Sequence, residues 1–274
     1  MKMEPTALTI DQVLAAPRRE TFLFYGNPDC GKTTRVLEIA ALHSDRKFAV
    51  IDGDGRFRRV WRDEWPGVRN IAYYPVRDWT ETRAAYEKAK KELGTGDWLV
   101  CEMIDKYWDW AYNYYYQEVR AKSTDDLLLE LKKNTKGPKG VADPDSITTT
   151  RIVKLMHNAG FADEMTSFLD CHILWTAAAQ PLLIDLEGKE TLDLFQDIGY
   201  KADGEKRNPY RVDTCIFFEV HLKGGQKRMW TTVKDKGRPK AWRQEFDGSK
   251  RAWWLDYCDF VAKSSAPVET MVKQ

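Results

Sequence analysis

A glycine-rich loop between an apolar strand and a helix is the feature that most constrains what this chain can fold into. Residues 26–33 read Gly-Asn-Pro-Asp-Cys-Gly-Lys-Thr, which fits the pattern G-x-x-x-x-G-K-[ST]. The loop follows a predicted strand, Phe22–Tyr25, and opens a predicted helix, Lys32–His43. In that setting the N–H groups of the loop and the positive end of the helix converge on a phosphate. A chance glycine-rich turn is the alternative, but the flanking strand and helix favour a nucleotide-phosphate site.

The side chains of this loop predict the cofactors. Lys32 is positioned to reach the β- and γ-phosphate oxygens, and the Thr33 hydroxyl is positioned to ligate Mg²⁺. We therefore predict ATP and Mg²⁺ as cofactors. Cys30 is either a thiol activated by the helix N-terminus or a packing residue, and we prefer packing. The predicted nucleotide-binding residues are Gly26, Asn27, Pro28, Asp29, Cys30, Gly31, Lys32, Thr33 and Thr34.

Apolar segments of strand length alternate with helical segments over much of the chain. Strands are predicted at 48–51, 71–74, 98–101 and 172–177, and helices at 80–93, 105–120 and 147–169. This alternation is typical of a mainly parallel sheet with helices on both faces. Beyond residue 208 the pattern changes to antiparallel hairpin strands at 212–222, 229–233 and 241–246. We predict an α/β fold with antiparallel strands at its C-terminal end.

The predicted domain organisation has three parts. Residues 1–20 are a lead-in and candidate oligomerisation segment, residues 21–260 form the core, and residues 261–274 are a flexible tail. Residues 132–145 and 185–208 are predicted to be mobile loops. The longest apolar stretches fall far short of the roughly 18 residues that a membrane span needs, so we expect a cytoplasmic protein without membrane contact. Five cysteines lack a CxxC pair, which argues against a zinc site or a disulfide framework.

Acidic residues follow two of the predicted strands, where a phosphate-transfer site needs them. Glu102 ends the apolar run 98–101 and is the candidate to hold Mg²⁺, with Asp105 as the alternative. Asp is more usual than Glu at such a position. Asp54 follows strand 48–51 and is a candidate to polarise the attacking water. A plain Asp-Gly turn explains Asp52 and Asp54 equally well.

From about Thr21 to about Phe246, the order of these elements resembles the core of RecA-type recombinases. Asp54 falls where that family carries its catalytic glutamate, and residues 97–102 look like its Walker B strand. Residues 172–180 resemble the strand that ends in a glutamine sensing the γ-phosphate, which assigns that role to Gln180. Residues 203–206 resemble the segment after the second DNA-binding loop.

The same resemblance assigns a role to two lysines near the end of the core. Residues 231–236 look like the strand whose two lysines reach the ATP of a neighbouring subunit, so Lys234 and Lys236 are expected to act in trans. The full catalytic set that the resemblance and the motif imply is Lys32, Asp54, Glu102, Gln180, Lys234 and Lys236. The size of the chain and the absence of extra DNA-binding domains look most like core-only ATPases encoded by bacteriophages. Several of these are single-strand annealing or recombination proteins.

Charge is concentrated locally although the chain is nearly neutral at +1. Residues 223–243 carry eight basic residues against Asp235 alone, a local charge of +7. A solvated hairpin is the plain alternative to a phosphate-binding role. Phe195 and Tyr200 are the candidates for base stacking, and the aromatic run 107–116 is predicted to pack in the core and against an oligomer partner. Phosphate contacts with single-stranded DNA are predicted for Lys132, Lys133, Lys136, Lys139, Lys201, Lys206 and Arg207.

Four functions are compatible with these features. The leading hypothesis is a Mg²⁺-dependent ATPase that forms a filament or ring, binds single-stranded DNA and promotes annealing or strand exchange. A packaging or helicase-type motor is the second, and it predicts turnover that depends on duplex DNA. A nucleotide kinase is the third, for which the arginines at 56, 58, 59 and 62 are the nearest equivalent of a lid. An ATP-switched binding module without turnover is the fourth.

Overall fold

The strands that the structure describes form one nine-stranded sheet. The computed structural model describes residues 19–119, 151–221, 227–236, 245–247, 254–255 and 257–258. The strands are β1 Thr21–Gly26, β2 Phe48–Asp52, β3 Ile71–Pro75, β4 Trp98–Glu102, β5 His172–Pro181, β6 Tyr200–Ala202, β7 Thr214–His221, β8 Lys227–Asp235 and β9 Glu245–Asp247. The α-helices are α1 Lys32–Leu42, α2 Arg56–Glu64, α3 Trp79–Glu92, α4 Ile104–Tyr114, α5 Asp163–Phe168, α6 Lys189–Phe195 and α7 Asn208–Arg211.

The strand order β3-β2-β4-β5-β1-β7-β8-β9 places β1 in the middle of the sheet. Strands β3, β2, β4, β5, β1 and β7 are paired in parallel, whereas β8 pairs antiparallel with β7 and β9 with β8. β6 pairs antiparallel with the far end of β5. All six residues of β1 are buried because strands and helices cover them on every side. The predicted α/β fold, with a mainly parallel sheet and antiparallel strands at the C-terminal end, is confirmed.

Two apolar layers cover the two faces of this sheet, and aromatic side chains fill much of both. Trp98, Trp175 and Trp230 are fully buried, and the Trp98 ring stacks on Phe48 at a centroid distance of 5.5 Å. In the aromatic run on α4 and its π-helical extension Tyr115–Val119, Tyr107 is fully buried. The tryptophans and tyrosines that the structure describes are therefore buried or half-buried and do not form an exposed stacking surface.

Helix α3 shows how local sequence fixes an element. The Asp78 carboxylate accepts a hydrogen bond from the Glu81 N–H at 2.7 Å, and Glu81 in turn accepts one from the Arg77 N–H at 2.9 Å. This is the capping arrangement that Asp78 and Glu81 predict, except that the returning bond reaches the residue before the cap. The helix buries one face, which consists of Trp79, Thr82, Ala85, Tyr86 and Ala89.

The prediction of a mobile loop at 185–208 is wrong. A 3₁₀ turn Ile184–Leu186, helix α6, strand β6 and the start of helix α7 occupy that range. The segment is ordered because its aromatic residues enter the core: the Phe195 ring meets Tyr25 edge-on, and the Tyr200 ring stacks on Phe217. Base stacking by Phe195 and Tyr200 is therefore also contradicted.

Other differences from the sequence predictions are smaller. Helix α2 was not predicted, and the predicted helix 147–169 contains a π-helical segment, Leu155–Ala162, before α5. The predicted lead-in up to residue 18, loop 132–145 and tail lie outside the described residues. Among the helices that the structure describes, none has the length and apolar content to cross a membrane.

Candidate nucleotide site

The loop between β1 and α1 has the backbone geometry of a tight phosphate-binding turn. Asp29 and Gly31 adopt positive φ angles of 63° and 92°. A Cβ at Gly26 would lie 2.2 Å from the Phe218 carbonyl oxygen on the neighbouring strand, so only glycine fits there. The two glycines of the motif thus serve different needs: Gly26 allows close strand packing and Gly31 allows the left-handed backbone at the helix start.

The N-terminus of α1 is open to an anion. No side chain caps it, and its first turn carries no acidic residue. Helix N-termini present N–H groups without intrahelical acceptors together with the positive end of the helix dipole. A phosphate bound beside Gly31 would satisfy those donors.

Lys32 is folded back onto the loop that precedes it. Its ammonium group donates to the Gly26 carbonyl at 2.8 Å and to the Asn27 carbonyl at 3.2 Å. It also lies 3.6 Å from the Cys30 sulfur. Cys30 is 1% exposed and burial raises the pKa of its thiol, which favours the packing interpretation over an activated thiol.

Thr33 and Glu102 meet across the site although 69 residues separate them. The Thr33 hydroxyl donates to Glu102 Oε1 at 2.6 Å. Glu102 is 2% exposed, and burial raises its pKa to about 7, helped by the charges of Asp52 and Asp54. Its other oxygen, Oε2, is buried and accepts no hydrogen bond within the described part of the chain. Burying a carboxylate oxygen without a hydrogen-bond partner costs free energy and is uncommon in folded proteins. A bound cation would offset that cost.

The residues present fit a magnesium ion bound together with phosphate. Within the ranges described, no group of three or more His, Cys, Asp or Glu side chains could hold a metal on its own. Mg²⁺ is commonly bound through one or two protein oxygens, several waters and the phosphates of its substrate. The Thr33 hydroxyl and the unpartnered Glu102 Oε2 are the protein oxygens that this site offers.

The end of β2 supplies a second acid to the same cleft. Asp52 Oδ1 accepts from the N–H groups of Asp54 and Gly55, both at 3.0 Å, and Asp52 Oδ2 accepts from the Tyr73 hydroxyl at 2.8 Å. Asp52 is therefore a turn-forming residue. Asp54 lines the cleft, while its Oδ1 accepts from the Arg56 N–H. The turn interpretation therefore applies to Asp52, and the role of Asp54 in positioning water stays a prediction.

Met103, directly after Glu102, adopts a left-handed backbone with φ of 60°. Its N–H donates to the Thr176 hydroxyl on β5 at 2.8 Å, which holds the ends of β4 and β5 together. Non-glycine residues in this conformation store strain and are common beside functional sites. The next acid, Asp105, is absent from the cleft lining; burial raises its pKa to about 6. The structure thus brings Glu102, and not the alternative Asp105, to Thr33.

The cleft as a whole joins the loop to the ends of β2, β4 and β5. Sequence reasoning did not predict Val60, Glu64, Met103, Ala178 and Arg228 as part of this site, since they reach it through tertiary packing. Its lining residues are Gly26, Pro28, Asp29, Gly31, Lys32, Thr33, Thr34, Asp54, Arg56, Val60, Glu64, Glu102, Met103, Ala178 and Arg228.

Gln180 lies two residues beyond the cleft residue Ala178 on β5. Its amide donates to Asp203 Oδ1 at 3.0 Å, and that oxygen also accepts from the Gly204 N–H. Lys206 and Arg207 follow on the exposed surface. Lys201 is instead ion-paired with Glu187 and partly buried, which weakens its prediction as a DNA contact. Lys132, Lys133, Lys136 and Lys139 lie outside the described residues.

Lys234 and Lys236 lie near the ends of the strands that are opposite to the phosphate-binding loop. β1 ends beside Phe218, which pairs with Trp230, whereas Lys234 pairs with Cys215 near the other end of β7. The Lys234 ammonium donates to the carbonyls of Pro209 and Val212, both at 2.6 Å. The Lys236 ammonium donates to the Tyr210 carbonyl at 3.2 Å. Within the chain these lysines bind carbonyls at the end of α7, and their action in trans stays a prediction.

The described basic residues of segment 223–243 consequently lie in two places rather than in a single patch. Arg228 lines the cleft, and Lys234 is six residues further along β8, about 20 Å away at the rise of an extended strand. A solvated hairpin does not describe these positions, because Arg228 and Lys234 are both partly buried. The charge that looks continuous in the sequence serves two places in the fold.

Burial gives Lys234 a measurable pH signature. Burial, followed by repulsion from Lys236, lowers the pKa of Lys234 from 10.5 to about 8. Between those values the unfolded chain binds more protons at this position, so this group makes the free energy of unfolding rise with pH from about 8 to about 10.5. We expect Lys234→Met to lose that contribution. Chemical denaturation of both proteins at several pH values would measure it, and parallel pH curves for the two proteins would contradict it.

The solved structures similar to this chain include the following two. The structure of the RadB recombinase is 18% identical, covers 85% of this chain and 89% of its own, and has a TM-score of 0.45. The structure of the ATP synthase subunit NeqB from Nanoarcheaum equitans is 10% identical, covers 89% of this chain and 55% of its own, and has a TM-score of 0.37. Likenesses at this level carry no function to this chain. No protein-family model and no curated protein matches the sequence.

Proposed function

We propose that this chain is a Mg²⁺-dependent ATPase that binds single-stranded DNA and promotes annealing or strand exchange in recombination of the bacteriophage type, as a cytoplasmic homo-oligomer. The observation that supports it most is the contact between Thr33 and Glu102, which joins the phosphate-binding loop to the end of β4. The two residues come from distant parts of the chain, and a hydroxyl beside a carboxylate supplies the oxygen ligands that a nucleotide-bound Mg²⁺ can use.

Lys32 and the start of α1 bind the phosphates in this proposal. The Lys32 ammonium exchanges its two carbonyl acceptors, Gly26 and Asn27, for phosphate oxygens, which are stronger acceptors because they are charged. The N–H groups of residues 31–34 hold the same phosphates. Thr33 and Glu102 hold Mg²⁺, which supplies positive charge against the phosphate oxygens when it is bound.

Asp54 positions the attacking water. Asp54 lines the cleft after β2, which lies on the far side of β4 from β1, and the hydrogen bond from its N–H to Asp52 Oδ1 fixes its backbone. An acid held at a strand end can orient a water molecule and accept its proton during phosphoryl transfer. Asp52 is not among the residues that line the cleft, and its oxygens accept hydrogen bonds from its own turn and from Tyr73.

The link from nucleotide to DNA runs along β5. Ala178 lines the cleft, Gln180 binds Asp203, and the exposed Lys206 and Arg207 follow on the same segment. A change in the phosphates beside Ala178 would shift the end of β5 and, through Asp203, the basic residues that contact DNA phosphate. These contacts carry no sequence information, so binding should be general for single strands and weaken with salt.

Gln180→Ala tests that link. We expect its turnover without DNA to stay within about threefold of wild type, while stimulation by single-stranded DNA is lost. Among the residues that the structure describes, Asp203 is the only polar partner of the Gln180 side chain. Gln196→Ala, which changes an exposed glutamine after α6, is the matched control. Full stimulation in Gln180→Ala would contradict the link.

The proposed function is tested by identifying the products of ATP turnover and the type of DNA that accelerates it. The proposal expects ADP and inorganic phosphate, released faster with single-stranded DNA. It also expects turnover per subunit to rise with protein concentration, because Lys234 and Lys236 act across subunits. Heterologous head-to-tail contacts of that kind build rings or filaments. Turnover that responds only to duplex DNA would instead support a motor.

A nucleotide kinase is the second candidate, and one observation favours it. Arg56 lines the cleft, and Arg59 lies with it along a groove that continues from Asp29 past helix α2. Arginines beside a phosphate-binding loop could hold the phosphate of an acceptor nucleotide. A phosphorylated product after addition of nucleoside monophosphates would support this function, and its absence would exclude it.

A further inference from the structure

Arg228 stands at the edge of the nucleotide cleft that is remote from Glu102. It lies on β8, two strands from β1, whereas Glu102 ends β4 on the other side of β1. A Cβ placed on Gly31 would lie 3.6 Å from Arg228 Cδ and 3.7 Å from Arg228 Nε. The arginine side chain therefore runs alongside the residue that begins the open N-terminus of α1.

This guanidinium lacks the acceptors that a partly buried arginine needs. Arg228 Nε is buried and makes no hydrogen bond, and no ion pair engages Arg228 within the ranges that the structure describes. Arginine is always charged and carries five N–H donors in a planar fork that matches phosphate oxygens. A buried donor without an acceptor is costly, so the position favours binding of an anion.

The direction of the nucleotide follows from the two ends of the cleft. Thr33 and Glu102 mark the end where Mg²⁺ and the terminal phosphates lie. Arg228 is on the opposite side of the loop, where the phosphates nearer the nucleoside must lie. This assignment rests on the proposed function, because it takes the cleft to be a nucleotide site.

We propose that Arg228 binds the α- and β-phosphates of the nucleotide held by its own subunit, and so sets affinity for ATP and ADP alike. This role differs from that expected of Lys234 and Lys236, which would act on the terminal phosphate of a neighbour. Because the α- and β-phosphates are common to both nucleotides, Arg228 should contribute equally to substrate and product binding. It should contribute little to the chemical step.

Equilibrium titration of ATP, ADP and inorganic pyrophosphate tests the assignment. Arg228→Met keeps the apolar stem and removes the charge, and we expect it to bind ATP and ADP about 10- to 100-fold more weakly, with kcat at saturating ATP within about threefold of wild type. Pyrophosphate binding should weaken by a similar factor, because the contact is to phosphate and not to the base. Arg228→Lys should recover part of the affinity.

Arg46→Ala, an exposed arginine beyond the far end of α1, is the matched control and should bind like wild type. Arg228→Gln replaces the methionine variant if the latter does not fold. Unchanged affinities in the Arg228 variants would overturn the assignment, and so would a loss confined to ATP with a fall in kcat. Wild-type protein that binds no nucleotide, or Lys32→Ala that binds like wild type, would refute the proposed function itself.

Discussion

Replacing Lys32 by alanine is expected to lower kcat/KM for ATP by about 100-fold or more, with the fold intact. The ammonium group is the strongest positive charge that the loop directs at the phosphates, and preorganised donors of this kind typically contribute two to three orders of magnitude to the rate. Folding should survive because the two carbonyls that Lys32 binds, Gly26 and Asn27, belong to the same loop. Steady-state phosphate release and thermal denaturation measure the two effects.

Lys91→Ala is the matched control for this variant. Lys91 is an exposed lysine in the last turn of α3, a helix that leads into the start of β4 and so ends at the opposite edge of the sheet. Its loss should leave turnover unchanged. Equal turnover in Lys32→Ala and wild type would show that the loop takes no part in the reaction, and it would contradict the proposed nucleotide site.

Replacing Glu102 by glutamine is expected to lower Mg²⁺-dependent turnover by about 100-fold while leaving the protein folded. Glutamine keeps the shape of the side chain and an acceptor for the Thr33 hydroxyl, but it removes the charge that holds the metal. The variant should also resist denaturation at least as well as wild type at pH 8. A buried carboxyl whose pKa rises from 4.5 to about 7 on folding binds more protons when folded, so its ionisation opposes folding as pH rises.

Glu92→Gln provides the comparison. Glu92 ends α3 on the surface and accepts a hydrogen bond from the Tyr74 hydroxyl, which a glutamine can also accept. It should hydrolyse ATP like wild type. Titrating Mg²⁺ in both variants separates loss of the metal from loss of the fold, and wild-type turnover in Glu102→Gln would assign the metal to another group.

The sequence predicts this site well where the signal is local. The loop, Lys32 and Thr33 belong to one continuous segment whose motif and flanking apolar periodicity are visible without any tertiary information. The position of Glu102 can also be predicted from the sequence. Parallel strands end on the same side of the sheet, and an acid directly after an apolar strand lies on that side. The fold class follows from the same alternation of strands and helices.

Prediction is poorer where tertiary packing decides. The polar composition of 185–208 hides Phe195 and Tyr200, whose burial against Tyr25 and Phe217 creates α6 and β6. Arg228 reaches the cleft only because β7 lies beside β1 and pairs with β8 in one register. That register includes an irregularity between Cys215 and Ile216, which no periodic pattern reveals. The same strand pairing places Arg228 and Lys234 near opposite ends of β8.

Release of inorganic phosphate from Mg²⁺-ATP by the 274-residue chain, with and without single-stranded DNA and beside Lys32→Ala, tests the central claim most directly. The expected result is phosphate release that single-stranded DNA stimulates and that Lys32→Ala loses by about 100-fold. Absence of phosphate release from the wild-type chain under both conditions, or equal release by Lys32→Ala, would contradict it.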